Sequence, residues 1–92
     1  MGRVELVERK LRKYYGYAHL DIGLIEVDPT LTDYEYLNTA IHETLHVLYP
    51  EASETEIYKN AGTIAHILRK AGYSSHRLKR RKKKKAKKVS PS

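Results

Sequence analysis

Cysteine, tryptophan and phenylalanine are all missing from this chain of 92 residues. Without cysteine there is no disulfide and no thiolate ligand, so histidine and carboxylate are the strong metal-binding groups that remain. The same absence suits a reducing, cytoplasmic setting. With no Phe or Trp, the large apolar units are Leu, Ile, Val and eight Tyr. A chain of this length builds one small domain with a modest core, which would gain from a metal clip. No apolar run approaches the roughly 20 residues of a membrane span, and the N-terminus lacks the charged-then-apolar pattern of a signal peptide. Leu6 stands where a myristoylation signal would carry Ser or Thr. The expectation is a soluble, intracellular protein with no membrane partner.

The formal net charge of +7 hides an asymmetry. Ten of the 18 Lys and Arg lie between positions 77 and 88, leaving eight basic against eleven acidic residues elsewhere. The body is therefore mildly acidic and the tail carries the excess positive charge. That division separates a folded domain over 1–76 from a basic tail over 77–92.

Within the body, His42-Glu43-Thr44-Leu45-His46 carries the most chemistry. At about 3.6 residues per turn, His42 and His46 stand one above the other on a helical face and can share one metal ion. Glu43 beside them is the base that, in an H-E-x-x-H arrangement, takes a proton from water held by the metal. Ala40, Ile41, Leu45, Val47 and Leu48 surround the motif with apolar residues. A buried helix with one polar stripe is the expected setting.

Two helices have full start signals. Thr32 with Glu35 makes a capping box, with Leu31 and Tyr36 at the staple positions. Ser53 with Glu56 makes another, with Ala52 and Ile57. The inner stripes expected are Leu37, Ile41, Thr44, Leu45 and Leu48 on the first helix, and Ile57, Ala61, Ile64, Ala65 and Leu68 on the second. Pro50 ends the first and Gly72 the second, and the short Pro50-Glu51-Ala52 link makes them packed neighbours. Upstream, 14–19 and 24–28 read as strands joined by the hairpin Leu20-Asp21-Ile22-Gly23. The segment 3–13 is ambiguous in period and leans towards strand. The fold class expected is α+β: a short antiparallel sheet of two to three strands, then two packed helices.

Zinc in a hydrolase usually takes three protein ligands, so a third is needed beyond His42 and His46. Glu51, Glu54, Glu56 and His66 are the downstream candidates. Helical phase puts Glu54 near the edge of the second helix's inner stripe. Glu56 points away from that stripe and is occupied by its capping box, and His66 lies on the far side. Glu51, in the link, stays open, as does Glu56.

The run from Leu37 to Leu68, with Ile41-His42-Glu43-Thr44-Leu45-His46-Val47-Leu48-Tyr49-Pro50 and then Ser53-Glu54-Thr55-Glu56-Ile57, resembles small phage-type zinc metallopeptidases. These are similar in pattern to SprT-like and ImmA/IrrE-like gluzincins. Tyr15-Gly16-Tyr17 and Leu24-Ile25-Glu26-Val27-Asp28-Pro29 extend the likeness to about residues 3–73. The resemblance implies a minimal zincin-like fold, one zinc ion held by His42, His46 and Glu54, Glu43 as general base, and a peptide or protein substrate. The chain's small size leaves little room for additional subsites. Tyr49, Tyr17 and His19 are candidate donors to a developing oxyanion.

The tail holds Arg77, Lys79, Arg80, Arg81, Lys82, Lys83, Lys84, Lys85, Lys87 and Lys88. Like-charge repulsion predicts a disordered, extended segment. DNA or RNA backbone is its natural partner, because each neutralised phosphate releases condensed counterions. No aromatic residue interrupts the run, so neither stacking nor sequence readout is expected of it. Two functions follow for the whole chain: a zinc-dependent peptidase recruited to nucleic acid, or a nucleic-acid-associated module in which the zinc is a structural staple.

Overall fold

The computed structural model describes residues 3–73, so the basic run over 77–88 and the domain boundary at 76 lie outside the described residues. Three short strands come first: β1 (Glu5–Glu8), β2 (Gly16–His19) and β3 (Leu24–Val27). Two helices follow, α1 (Asp33–Leu48) and α2 (Glu54–Lys70). The architecture is α+β, a small mixed sheet followed by two packed helices. Among the described residues no helix is long and apolar enough to cross a membrane.

The hairpin forms at the expected connection. Gly23 takes φ of 66°, a left-handed conformation that glycine adopts without a Cβ penalty, and donates to the His19 carbonyl at 3.0 Å. Strand β2 then pairs antiparallel with β3, Tyr17 opposite Glu26 and His19 opposite Leu24. Strand β1 departs from the antiparallel expectation. It pairs parallel with β3, in the order β1-β3-β2. The reason is the segment 9–15, which crosses the end of β3 before starting β2, so β2 takes one side of β3 and β1 the other.

Asp28 anchors that crossing. It is buried, and its carboxylate accepts from the Thr30 N–H at 2.9 Å, the Thr30 hydroxyl at 2.7 Å and, across the chain, the Leu11 N–H at 3.1 Å. The Thr30 N–H is the main reason its carboxyl is held below the usual range.

Both helices begin in complete capping boxes, Thr32 with Glu35 and Ser53 with Glu56. Tyr49 ends α1 just before Pro50 with its N–H still bonded to the Leu45 carbonyl. At the end of α2, Gly72 has φ of 98° while Tyr73 and Gly72 donate to the Leu68 and Arg69 carbonyls. These bonds satisfy carbonyls that a helix end otherwise leaves open.

The core lies between the sheet, α1 and α2. Ile25 and Val27 face it from β3, and Ile57, Ala61 and Ala65 from α2. Both expected stripes need correction. Leu48, in the last turn of α1, is exposed, and Thr39 is that helix's buried residue. Ile64 is exposed too, because the two alanines, small enough for close helix approach, centre the α2 stripe away from it. With about 100° per residue, Glu54 projects midway between Ala61 and Ala65, about 20° from each. The first residue of α2 is thereby turned towards α1.

Candidate metal centre

Helix α1 places His42 and His46 one turn apart, their rings 4.9 Å between centroids and tilted by 66°. Glu54 reaches back from the start of α2. Its Oε2 lies 3.1 Å from His42 Nε2 and its Oε1 2.9 Å from His46 Nε2. The imidazoles are partly buried while Glu54 is exposed. One donor atom from each of the three residues falls within a set no more than 4.8 Å across, and this group could hold a metal ion. The fit is chemical as well as spatial. Two imidazoles and a carboxylate are a zinc donor set, and donors about 2.1 Å from a tetrahedral metal stand roughly 3.4 Å apart. The two His–Glu54 separations, 3.1 and 2.9 Å, lie a few tenths of an ångström below that spacing, within a set that spans up to 4.8 Å.

Among the described residues this is the one such group. Glu56 is held by its capping box, accepting from Ser53 N–H at 3.2 Å, and His66 is exposed, as its helical phase predicts. Glu51 is exposed in the link and stands outside the group.

Glu43 points from α1 towards the sheet. Burial raises its carboxyl pKa above the ordinary 4.5, more than the neighbouring His42 and His46 lower it, and the Glu54 charge pushes the same way as burial. The strand beside it comes unusually close. A Cβ built on Gly16 would stand 2.5 Å from the Thr39 Cγ2 methyl, 2.9 Å from the Glu26 carbonyl oxygen and 3.1 Å from Glu43 Cγ. Glycine is what lets β2 lie against α1 at this level. β2 is also an edge strand, and the pairing directs Tyr17 and His19 backbone groups towards β3. Those of Gly16 and Ala18 therefore point outwards.

A groove of about 500 Å³ opens between this edge and the helices, reaching His42 and Glu43. Lys13, Tyr14, Tyr15 and Gly16 line it from the strand side, Tyr34, Glu35, Asn38 and Thr39 from α1, and Tyr58 from α2. Of the three candidate oxyanion donors, none lines it. Tyr17 and His19 project from the face of β2 opposite to Gly16, and Tyr49 is exposed at the end of α1. The tyrosines that do line it carried a signal in the sequence. Tyr34, Asn38 and His42 repeat every four residues on α1, and Tyr58 lies one turn beyond Glu54 on α2. Tyr34 is further fixed by the Arg69 guanidinium, 5.0 Å above its ring. The ten tail residues from Arg77 to Lys88 lie outside the described residues.

Comparisons with protein-family models, with curated proteins and with solved structures found no match.

Proposed function

We propose that this chain is a minimal zinc-dependent peptidase of gluzincin type, with His42, His46 and Glu54 holding one zinc ion and Glu43 as general base. The observation that carries the reading is the position of Glu43, half-buried beside the ligand set and facing a groove bounded by an open strand edge. A structural zinc site has no use for an additional half-buried carboxylate directed at such a groove. Zinc, when bound, supplies a Lewis acid and lowers the pKa of water into the neutral range.

The chain's own residues then have separate tasks. The outward N–H and C=O groups of Gly16 and Ala18 pair with an extended peptide backbone, lining its scissile bond along the groove. The Glu43 carboxylate takes the proton of the attacking water and returns it to the departing amine. Tyr58, in the groove one turn from Glu54, is the hydroxyl best placed by helical phase to donate to the carbonyl oxygen as it gains charge.

Glu43→Gln keeps the shape and removes the base. Zinc content by metal analysis stays at one per chain, while hydrolysis of peptide or casein-type substrates falls about 100-fold or more. One further observation favours a second reading: Glu54 joins two helices that otherwise meet through a small-residue seam, so zinc could serve as a staple alone. If the wild-type protein shows no zinc-dependent turnover on broad substrate panels, with and without DNA, the staple reading replaces the peptidase.

The tail is proposed as a sequence-independent tether to DNA or RNA, on its charge alone.

A further inference from the structure

The sheet has helices on one face only. Because Gly16 faces α1 at Thr39 and Glu43, alternation along β2 sends Tyr17 and His19 to the opposite face. A row of rings runs from Tyr14, at the rim of the groove, to Tyr17 and His19 on this face. Tyr14 and Tyr17 have centroids 6.2 Å apart, and Tyr17 and His19 meet edge-on at 5.0 Å. The two tyrosines are 59% and 49% exposed, far above what rings used for core packing show.

The row begins at a basic loop. Arg9, Lys10, Arg12 and Lys13 are all exposed, and these four are half of the eight basic residues outside 77–88. The loop has a defined place, since Asp28 grips it through the Leu11 N–H. The carboxylate facing Tyr17 across the strand pair, Glu26, is already engaged, 3.6 Å from Arg9 and 3.0 Å from His19. Lys10 acts on the Asp28 carboxylate, which leaves Arg12 and Lys13 as the loop cations that neither Glu26 nor Asp28 takes up.

We infer that this helix-free face, with the loop that leads onto it, is a binding site for single-stranded nucleic acid, with bases stacked on Tyr14 and Tyr17 and backbone phosphates on Arg12 and Lys13. Exposed rings in series accept the π-face of any base, whereas a duplex keeps its bases stacked on each other and offers the rings nothing. The site shares Lys13 and Tyr14 with the rim of the groove that reaches His42 and Glu43, uses none of the candidate metal ligands, and differs in kind from the tail, which has cations without rings.

The difference in kind makes the test possible with the full chain. A surface that reads phosphate alone prefers duplex, which has the higher charge density. Titrations of the wild-type protein with oligo-dT, oligo-rU and a DNA duplex of equal length, over a range of salt concentrations, are expected to show tighter binding of the single strands and its persistence at salt that abolishes duplex binding. Whichever of dT and rU binds tighter identifies the source. Tyr14→Leu and Tyr17→Leu each lower single-strand affinity about tenfold and leave duplex affinity unchanged. Replacing Arg12 and Lys13 together by Gln flattens the logarithmic salt dependence for single strands by about 1.4. The chain has no tryptophan, so quenching of tyrosine emission by the oligonucleotide reports stacking directly, and it weakens in the Tyr17 variant. Circular dichroism checks each fold, and Tyr14, which precedes the strand, carries the test if Tyr17→Leu does not fold. Duplex preferred over single strands, or single-strand affinity untouched by both tyrosine changes, overturns the proposal. Zinc content and peptide hydrolysis are read in separate assays, so failure here leaves the peptidase reading standing, and the reverse also holds.

Discussion

Helix α1 is held from two sides and α2 from one. α1 packs against β2, β3 and α2, and a Tyr36–Glu8 hydrogen bond of 2.5 Å also ties it to β1. α2 has its extensive contact with α1 alone, through Ile57, Ala61 and Ala65. The group that could hold a metal straddles this inequality: His42 and His46 stand on the well-held helix and Glu54 is the first residue of the other. A bound ion would therefore stabilise chiefly the docking of α2, while the position of Glu43 depends on the seam between α1 and the sheet.

Metal removal tests the weaker seam and should have the largest effect. At free zinc about 100-fold above the dissociation constant, binding contributes roughly 2.7 kcal/mol to stability, so chelation should lower the Tm by several degrees or more. Amide exchange should quicken in α2 more than in α1. Glu54→Ala or His46→Ala should weaken zinc binding and remove the response to chelator; a melting curve indifferent to complete metal removal would detach the ion from the fold.

The stronger seam is tested by Gly16→Ala. The added methyl meets the Thr39 side chain and a backbone carbonyl, an overpacking cost of about 1–3 kcal/mol. Denaturant titration checks it, and an unshifted midpoint would mean that β2 and α1 are not in tight contact there.

Glu56→Ala is smaller, on the order of 1 kcal/mol, the scale of a lost helix cap, with zinc stoichiometry unchanged. Loss of metal in this variant but not in Glu54→Ala would exchange the two glutamates' roles.

The smallest effect is on pH dependence in the metal-free protein. Burial raises the Glu43 pKa, so the folded chain holds that proton to a higher pH than the unfolded chain does. Stability from this group is thus fully present below the ordinary value of 4.5 and is lost as pH rises through the raised folded value. Glu43→Gln should be slightly more stable than wild type near neutrality, with the difference closing in acid. A gap that widens on acidification would contradict the burial of a charge.

Which parts of this were legible in advance follows the range of the interactions. Thr32 with Glu35, Ser53 with Glu56, Pro50 and Gly72 act within about one turn of themselves, and each helix end is where they put it. The hairpin at 20–23 is equally local. The turn-spacing of His42 and His46 and the helical phase of Glu54 pointed to the same three residues that the fold brings together. Leu48 and Ile64 misled because hydrophobicity says that a residue prefers burial, not whether a neighbour arrives to cover it.

The sequence by itself determined the helices, their caps, the hairpin and the presence of a His/Glu motif, because backbone hydrogen bonding and side-chain periodicity over a few residues decide such features. Tertiary structure alone decided that β1 runs parallel to β3, since that choice is made by a crossing segment anchored 17 residues away on Asp28. It also decided that Gly16 admits β2 against Glu43, and that tyrosines from a loop, α1 and α2 share one groove. Each of these is a contact between surfaces distant in the chain, whose free energy exists only once both surfaces have formed and met.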